Sequence, residues 1–142
     1  MTRQFPLAGL LRLRRLQEDQ ARAEYAGANA RIAELVGRRD AIIEGAATAA
    51  SDTDNSVALR AIAAARAAQT GLLADLRILT ALADEQRGAA QAGLADAHAR
   101  TLGLEKLADR HAASERAAEN TAEQAVLDDL VTASWQRGEA AS

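Results

Sequence analysis

The chain has 142 residues and a formal charge of −3, no cysteine, and only one each of Phe, Tyr, Trp and Pro. Much of its apolar content is alanine, so a thick globular core is excluded; an Ala/Leu/Glu/Arg-rich chain with a 3.5–3.6 residue period reads as long helices in a coiled coil. The acidic balance argues against nucleic acid as a partner, and the lack of cysteine excludes disulfides and thiolate metal sites.

No run of 18 apolar residues exists, so no membrane-spanning helix is expected. The opening, Met1 to Pro6, lacks an apolar core segment, so no signal peptide is expected. Pro6 marks the first turn of a first helix, where its missing N–H costs nothing. From Leu7 a seven-residue pattern runs through positions 7, 11, 14, 18, 21, 25, 28, 32, 35, 39 and 42. All but Arg14, Glu18 and Arg39 are apolar, which makes this a seam for one partner helix. The two arginines read as snorkelled stems or register pins.

The seam fades after Ile43, and helix one is placed at about residues 7–50. Residues 51–56 are all polar and inclined to bond their own backbone, so the turn is placed there. Asp54, Asn55 or Ser56 would cap a new helix. A helical pattern resumes at Val57, and Gln69-Thr70-Gly71 is read as a break. Residues 57–70 are therefore expected as a short separate helix near the tip, the alternative being one long overhanging arm. The return helix is placed at 72–135. It opens with the most apolar window, Leu72 to Leu82, and continues with small residues three and four apart: Ala90, Leu94, Ala97, Leu104, Ala108, Ala118, Ala122 and Ala125. Residues 136–142 are expected to fray. One coiled-coil domain covers residues 1–142.

Charge sets the expected orientation. Arg3, Arg12, Arg14 and Arg15 stand without an acid in residues 1–15, whereas Glu115, Glu119, Glu123, Asp128, Asp129 and Glu139 outnumber Arg116 and Arg137. An antiparallel hairpin would place the two ends together, with Phe5, Leu7 and Leu10 near Leu127, Leu130, Val131 and Trp135. Trp135 would then pack on Phe5 or Leu7. Such a self-paired hairpin is expected to be a monomer on its own. The fold class is all-α, an antiparallel two-helix coiled-coil hairpin.

Chemistry finds little foothold. His98 and His111 lack the spacing of a metal site, and Glu115, Glu119 and Glu123 form an i, i+4 row without a coordinating loop. The glycines are scattered rather than gathered in a phosphate loop. A two-helix rod has no pocket to exclude water. The expectation is a protein that is not an enzyme and holds no cofactor or metal.

One pattern is recognisable as a whole. Phe5-x-Leu7-x-x-Leu10-Leu11-x-Leu13-Arg14 opens a long alanine-rich helix. Leu104-Glu105-Lys106-Leu107, then Glu115, Glu119, Glu123-Gln124 and Leu127-Asp128-Asp129 close the second arm. This resembles the FliJ family, the small coiled-coil component of the bacterial flagellar type III export apparatus. The Leu72–Leu82 window is similar to that family's apolar central segment, with leucines where aromatics are common.

The resemblance implies a stalk-like rod that enters the hexameric export ATPase, contacts the export gate protein in the membrane, and acts as a general chaperone for export. Its place would be the cytoplasm, peripherally at the inner face of the membrane; its partners would extend to export substrates or their chaperones. It further implies that the ATPase meets Leu7, Leu10, Leu11, Arg14, Arg15, Leu127, Asp128, Leu130 and Val131, and the gate meets Leu35, Ile42, Leu72, Leu76 and Leu79. Two other readings compete: a structural scaffold or adaptor unrelated to flagellar export, which would dimerise through its seams, and a peripheral membrane binder using the basic, leucine-rich stretch 7–16.

Overall fold

The computed structural model describes residues 3–49 and 54–141. It contains two α-helices, α1 (Ala8–Thr48) and α2 (Ser56–Ala141), of 41 and 86 residues. The chain divides into two compact units: residues 1–16 with 98–142, and residues 17–97.

The helix ends follow from local chemistry. Around Pro6 the chain turns, the Ala8 amide donating to the Phe5 carbonyl at 3.1 Å and that of Leu11 to Leu7 at 2.9 Å. At the far end of α1, Thr48 turns its hydroxyl back onto the carbonyls of Glu44 and Gly45, both at 3.2 Å. Asn55 is the N-cap of α2: its Oδ1 accepts from the Val57 amide at 2.9 Å, satisfying a donor that the first turn leaves open. The expected turn at 51–56 lies partly outside the described residues, but the helix begins at Ser56, inside it.

Two sequence expectations about α2 are corrected. No break occurs at 69–71, so residues 57–70 are the first turns of α2 and not a separate helix. Gly71 costs about 1 kcal/mol relative to alanine, yet no proline accompanies it and strong helix formers flank it on both sides. The Thr70 hydroxyl folds back on the Arg66 carbonyl at 3.0 Å instead of competing for the backbone. Nor does the helix stop at Trp135: it runs to Ala141, with Arg137 Nε donating to the Ala133 carbonyl.

In the unit formed by residues 17–97, the helices run antiparallel. Leu35, at 1% exposure, packs with Leu76 and Ala83, flanked by Ile32 and Ile42. Farther along the same seam, Glu24, Gly27, Ala28 and Arg31 face Gln86, Ala89, Ala90 and Gly93 across a groove of small side chains. Buried and half-buried positions on α1 in this unit include 18, 21, 25, 28, 32, 35 and 42, the spacing of a coiled-coil seam. Position 39 is the exception: Arg39 turns outward and pairs with Asp40 at 3.0 Å.

In the unit formed by the two chain ends, the antiparallel arrangement is equally clear. The Arg3 amide donates to Glu115 Oε2 at 3.4 Å, the Phe5 ring lies 5.6 Å from that of His111, and Arg15 pairs with Glu105 at 3.4 Å. Thr101, at 3% exposure, donates its hydroxyl to the Arg14 carbonyl. Residue numbers rise along α1 as they fall along α2. The fold is therefore an all-α, antiparallel two-helix hairpin.

Candidate docking surfaces

The register of the terminal unit decides what remains open for a partner. Arg3 already meets Glu115, so the last 26 residues of α2, 116–141, have no residue of α1 beside them. At 1.5 Å per residue this is an overhang of ~39 Å. Every residue in it is exposed except the half-buried Ala133.

The expected pairing of Phe5, Leu7 and Leu10 with Leu127, Leu130, Val131 and Trp135 is thus not found. Phe5 packs on His111, and Trp135 is 71% exposed. The reason lies in helix geometry. The α2 seam in this unit passes through Thr101, Leu104, Ala108, His111 and Glu115. Continued in steps of three and four, it reaches Ala118, Ala122, Ala125 and then Asp129, Thr132 and Gln136. At 100° per residue, Val126, Leu127, Leu130, Val131 and Trp135 form a broad arc on another side of the helix. The large apolar residues of the overhang would not face α1 even if α1 were longer.

The residues assigned to the ATPase therefore fall into two sets. On α1, Leu11 is buried in the seam, Arg14 is half-buried, and Arg15 is held by Glu105; Leu7 and Leu10 are exposed at its edge. On the overhang, Leu127, Asp128, Leu130 and Val131 stand open, with Gln124 Nε2 donating to Asp128 Oδ1 at 3.3 Å. Val126 and Trp135 belong to the same apolar arc. Sequence reasoning leaves them out of the site; Val126 stands four residues from Leu130 and Trp135 four from Val131, and that spacing is the available signal.

The residues assigned to the gate also separate. Leu35 and Leu76 are core, and Ile42 is half-buried beside them, so none of the three presents its full side chain. Leu72 and Leu79 are exposed, as are Ile43, Ile78 and Leu82. A groove beside them is bounded by Arg39, Ile43, Leu73, Leu76, Arg77 and Asp84. The sequence marks Leu72 to Leu82 as the most apolar window; the structure shows which of its residues point outward.

On α1, a hydrogen bond from Arg31, then the nearby charge of Arg38, hold the Glu34 carboxyl below the usual range. Their contacts are 3.1 and 2.7 Å. His111 is enclosed by the Phe5 ring and Glu115, its Nε2 lying 3.8 Å from Glu115 Oε1. Among the described residues no group of three or more His, Cys, Asp or Glu could hold a metal ion. No helix among them is long and apolar enough to cross a membrane.

The family model described as the flagellar FliJ protein covers residues 3–140, nearly the whole chain. No curated protein and no solved structure matches. A match of that extent, on an antiparallel helical hairpin, shows that the chain belongs to the FliJ family and is a component related to flagellar protein export.

Proposed function

We propose that the chain is a non-enzymatic stalk of the flagellar export apparatus, binding the export ATPase hexamer through its terminal unit. The observation carrying this reading is the overhang of α2. It presents Val126, Leu127, Leu130, Val131 and Trp135 on a helix that no other described segment of the chain covers. An apolar arc of that size on a charged helix is the anatomy of a helix-in-groove contact. The rod acts by differential affinity: it binds one conformation of a ring subunit better than another and so biases the hydrolysis cycle. The same reading places the exposed face Ile43, Leu72, Ile78, Leu79 and Leu82 against the membrane-embedded export gate. It places the protein in the cytoplasm at the inner face of the membrane, serving export substrates and their chaperones as a general chaperone for motility.

The test is ATP hydrolysis by the cognate export ATPase with and without added chain. Stimulation is expected from the wild type and is lost with Leu127→Asp plus Leu130→Asp, which leave the seam intact. No stimulation by the folded wild type would remove the ATPase from the account.

A further inference from the structure

The terminal unit leaves two surfaces uncovered, and they are complementary to each other. One is the overhang just described. The other is the outer side of α1 at its beginning. Leu11, Arg14 and Glu18 lie in or beside the seam, so 100° per residue places Gly9, Arg12, Leu13 and Leu16 on the far side. Leu16 is 66% exposed, and Leu13 is exposed as well. Arg12 and the Arg3 side chain have no acidic partner among the described residues, and Glu119, Glu123 and Asp129 have no basic one. Residues 3–16 carry four arginines and no acid, of which Arg15 is already paired with Glu105 and Arg14 lies half-buried at the seam. The overhang carries five acids (Glu119, Glu123, Asp128, Asp129 and Glu139) against Arg116 and Arg137.

We propose that the overhang of one chain packs on the outer face of α1 of a second copy, making an antiparallel dimer of terminal units. The spacings agree residue by residue. With the overhang parallel to the partner copy's α1, Leu127 falls beside Leu10, Leu130 beside Leu13, and Ala133 beside Leu16. Gly9, with open space around its Cβ position, receives the bulk of Val126. In the same register Asp129 lies beside Arg12, and Glu119 falls one residue out of step with Arg3, which precedes the helix, near enough for two long side chains to meet. One two-fold axis makes both contacts at once, because each chain offers both surfaces. The interface buries on the order of 1,000 Å², the size of a weak, reversible association. A charge-paired contact of this kind weakens as salt rises. The contrary pairing, overhang on overhang, would set two acidic segments against each other.

The inference concerns the purified chain alone and stands apart from the export reading. Sedimentation velocity across a micromolar concentration series reads the outcome. The wild type moves from 14.9 kDa toward twice that mass as concentration rises, and salt reverses the shift. Arg3→Glu plus Arg12→Glu weakens self-association by roughly tenfold or more, and so does Glu119→Lys plus Asp129→Lys, because each leaves like charges opposed. Mixing the two variants restores dimers at wild-type strength, since every reversed charge then meets its opposite. All four positions are exposed on helix surfaces, and circular dichroism checks that both variants remain helical. A wild type that stays at 14.9 kDa throughout overturns the proposal. So does a dimer whose strength ignores the charge reversals, or a mixture that fails to recover.

Discussion

The Thr101 hydroxyl donates to the backbone carbonyl of Arg14 across the seam, at 3.2 Å. That carbonyl's second lone pair accepts the bond without loss to the helix. With the Phe5–His111 contact and the Arg15–Glu105 pair, it ties the beginning of α1 to residues 101–115 of α2. The freedom of residues 116–141 follows from that register.

Replacing Thr101 by Val keeps shape and removes the donor. The Arg14 carbonyl remains bonded within its helix, so the expected loss is that of one net hydrogen bond, about 1 kcal/mol. Urea unfolding of the variant reads this. A more stable variant would show that the hydroxyl contributes nothing to the register.

Leu35 and Leu72 should separate sharply. Leu35 is 1% exposed in the core of its unit, so Leu35→Ala costs about 2–5 kcal/mol in the same measurement. Leu72 faces outward, and Leu72→Ala costs within about 0.5 kcal/mol. A pull-down of the export gate protein gives the converse expectation: Leu72→Asp plus Leu79→Asp loses capture while the hairpin remains folded.

Asn55 caps the start of α2. Asn55→Ala removes the acceptor for the Val57 amide and should lower stability by about 1 kcal/mol, whereas Asn55→Asp should retain most of it. Thermal unfolding followed at the helical signal distinguishes the two.

Glu34 gives a pH dependence with a definite sign. Its carboxyl is held below its ordinary value by Arg31 first and then Arg38. The folded state therefore binds its proton less readily than the unfolded state. The associated stability is complete above the unfolded value and disappears as pH falls through the lower, folded one. The group is exposed to solvent, so the effect on the melt is small. The direct readout is an NMR titration of the Glu34 side chain: its midpoint lies below that of an unfolded control, and Arg31→Gln brings it back toward that control.

Much of this fold is legible in the sequence. The seam of α1 stands out because Leu11, Ala21, Tyr25, Ala28, Ile32, Leu35 and Ile42 keep one spacing, and α2 answers with Leu94, Ala97, Leu104 and Ala108. The point where pairing stops does not stand out. Ala118, Ala122 and Ala125 continue the same spacing into the overhang, and an alanine reads alike whether it is packed or bare. The opposite charges of the chain ends suggested a closer match, but exposed ion pairs are too weak to set a register against an interlocked seam. The break read at Gln69-Thr70-Gly71 failed for a related reason. A lone glycine marks a cost and not a stop when good helix formers stand on both sides.

The register itself is open to direct measurement. The chain has no cysteine, so pairs of introduced cysteines carry spin labels without interference, diluted in excess unlabelled protein to isolate distances within one chain. Labels at Leu7 and Leu107 should lie about one helix-packing distance apart, lengthened only by the label arms. Labels at Leu7 and Val131 should be separated by about 30 Å or more. A short Leu7–Val131 distance with a long Leu7–Leu107 distance would mean that the chain ends zip together, leaving no overhang to dock on anything.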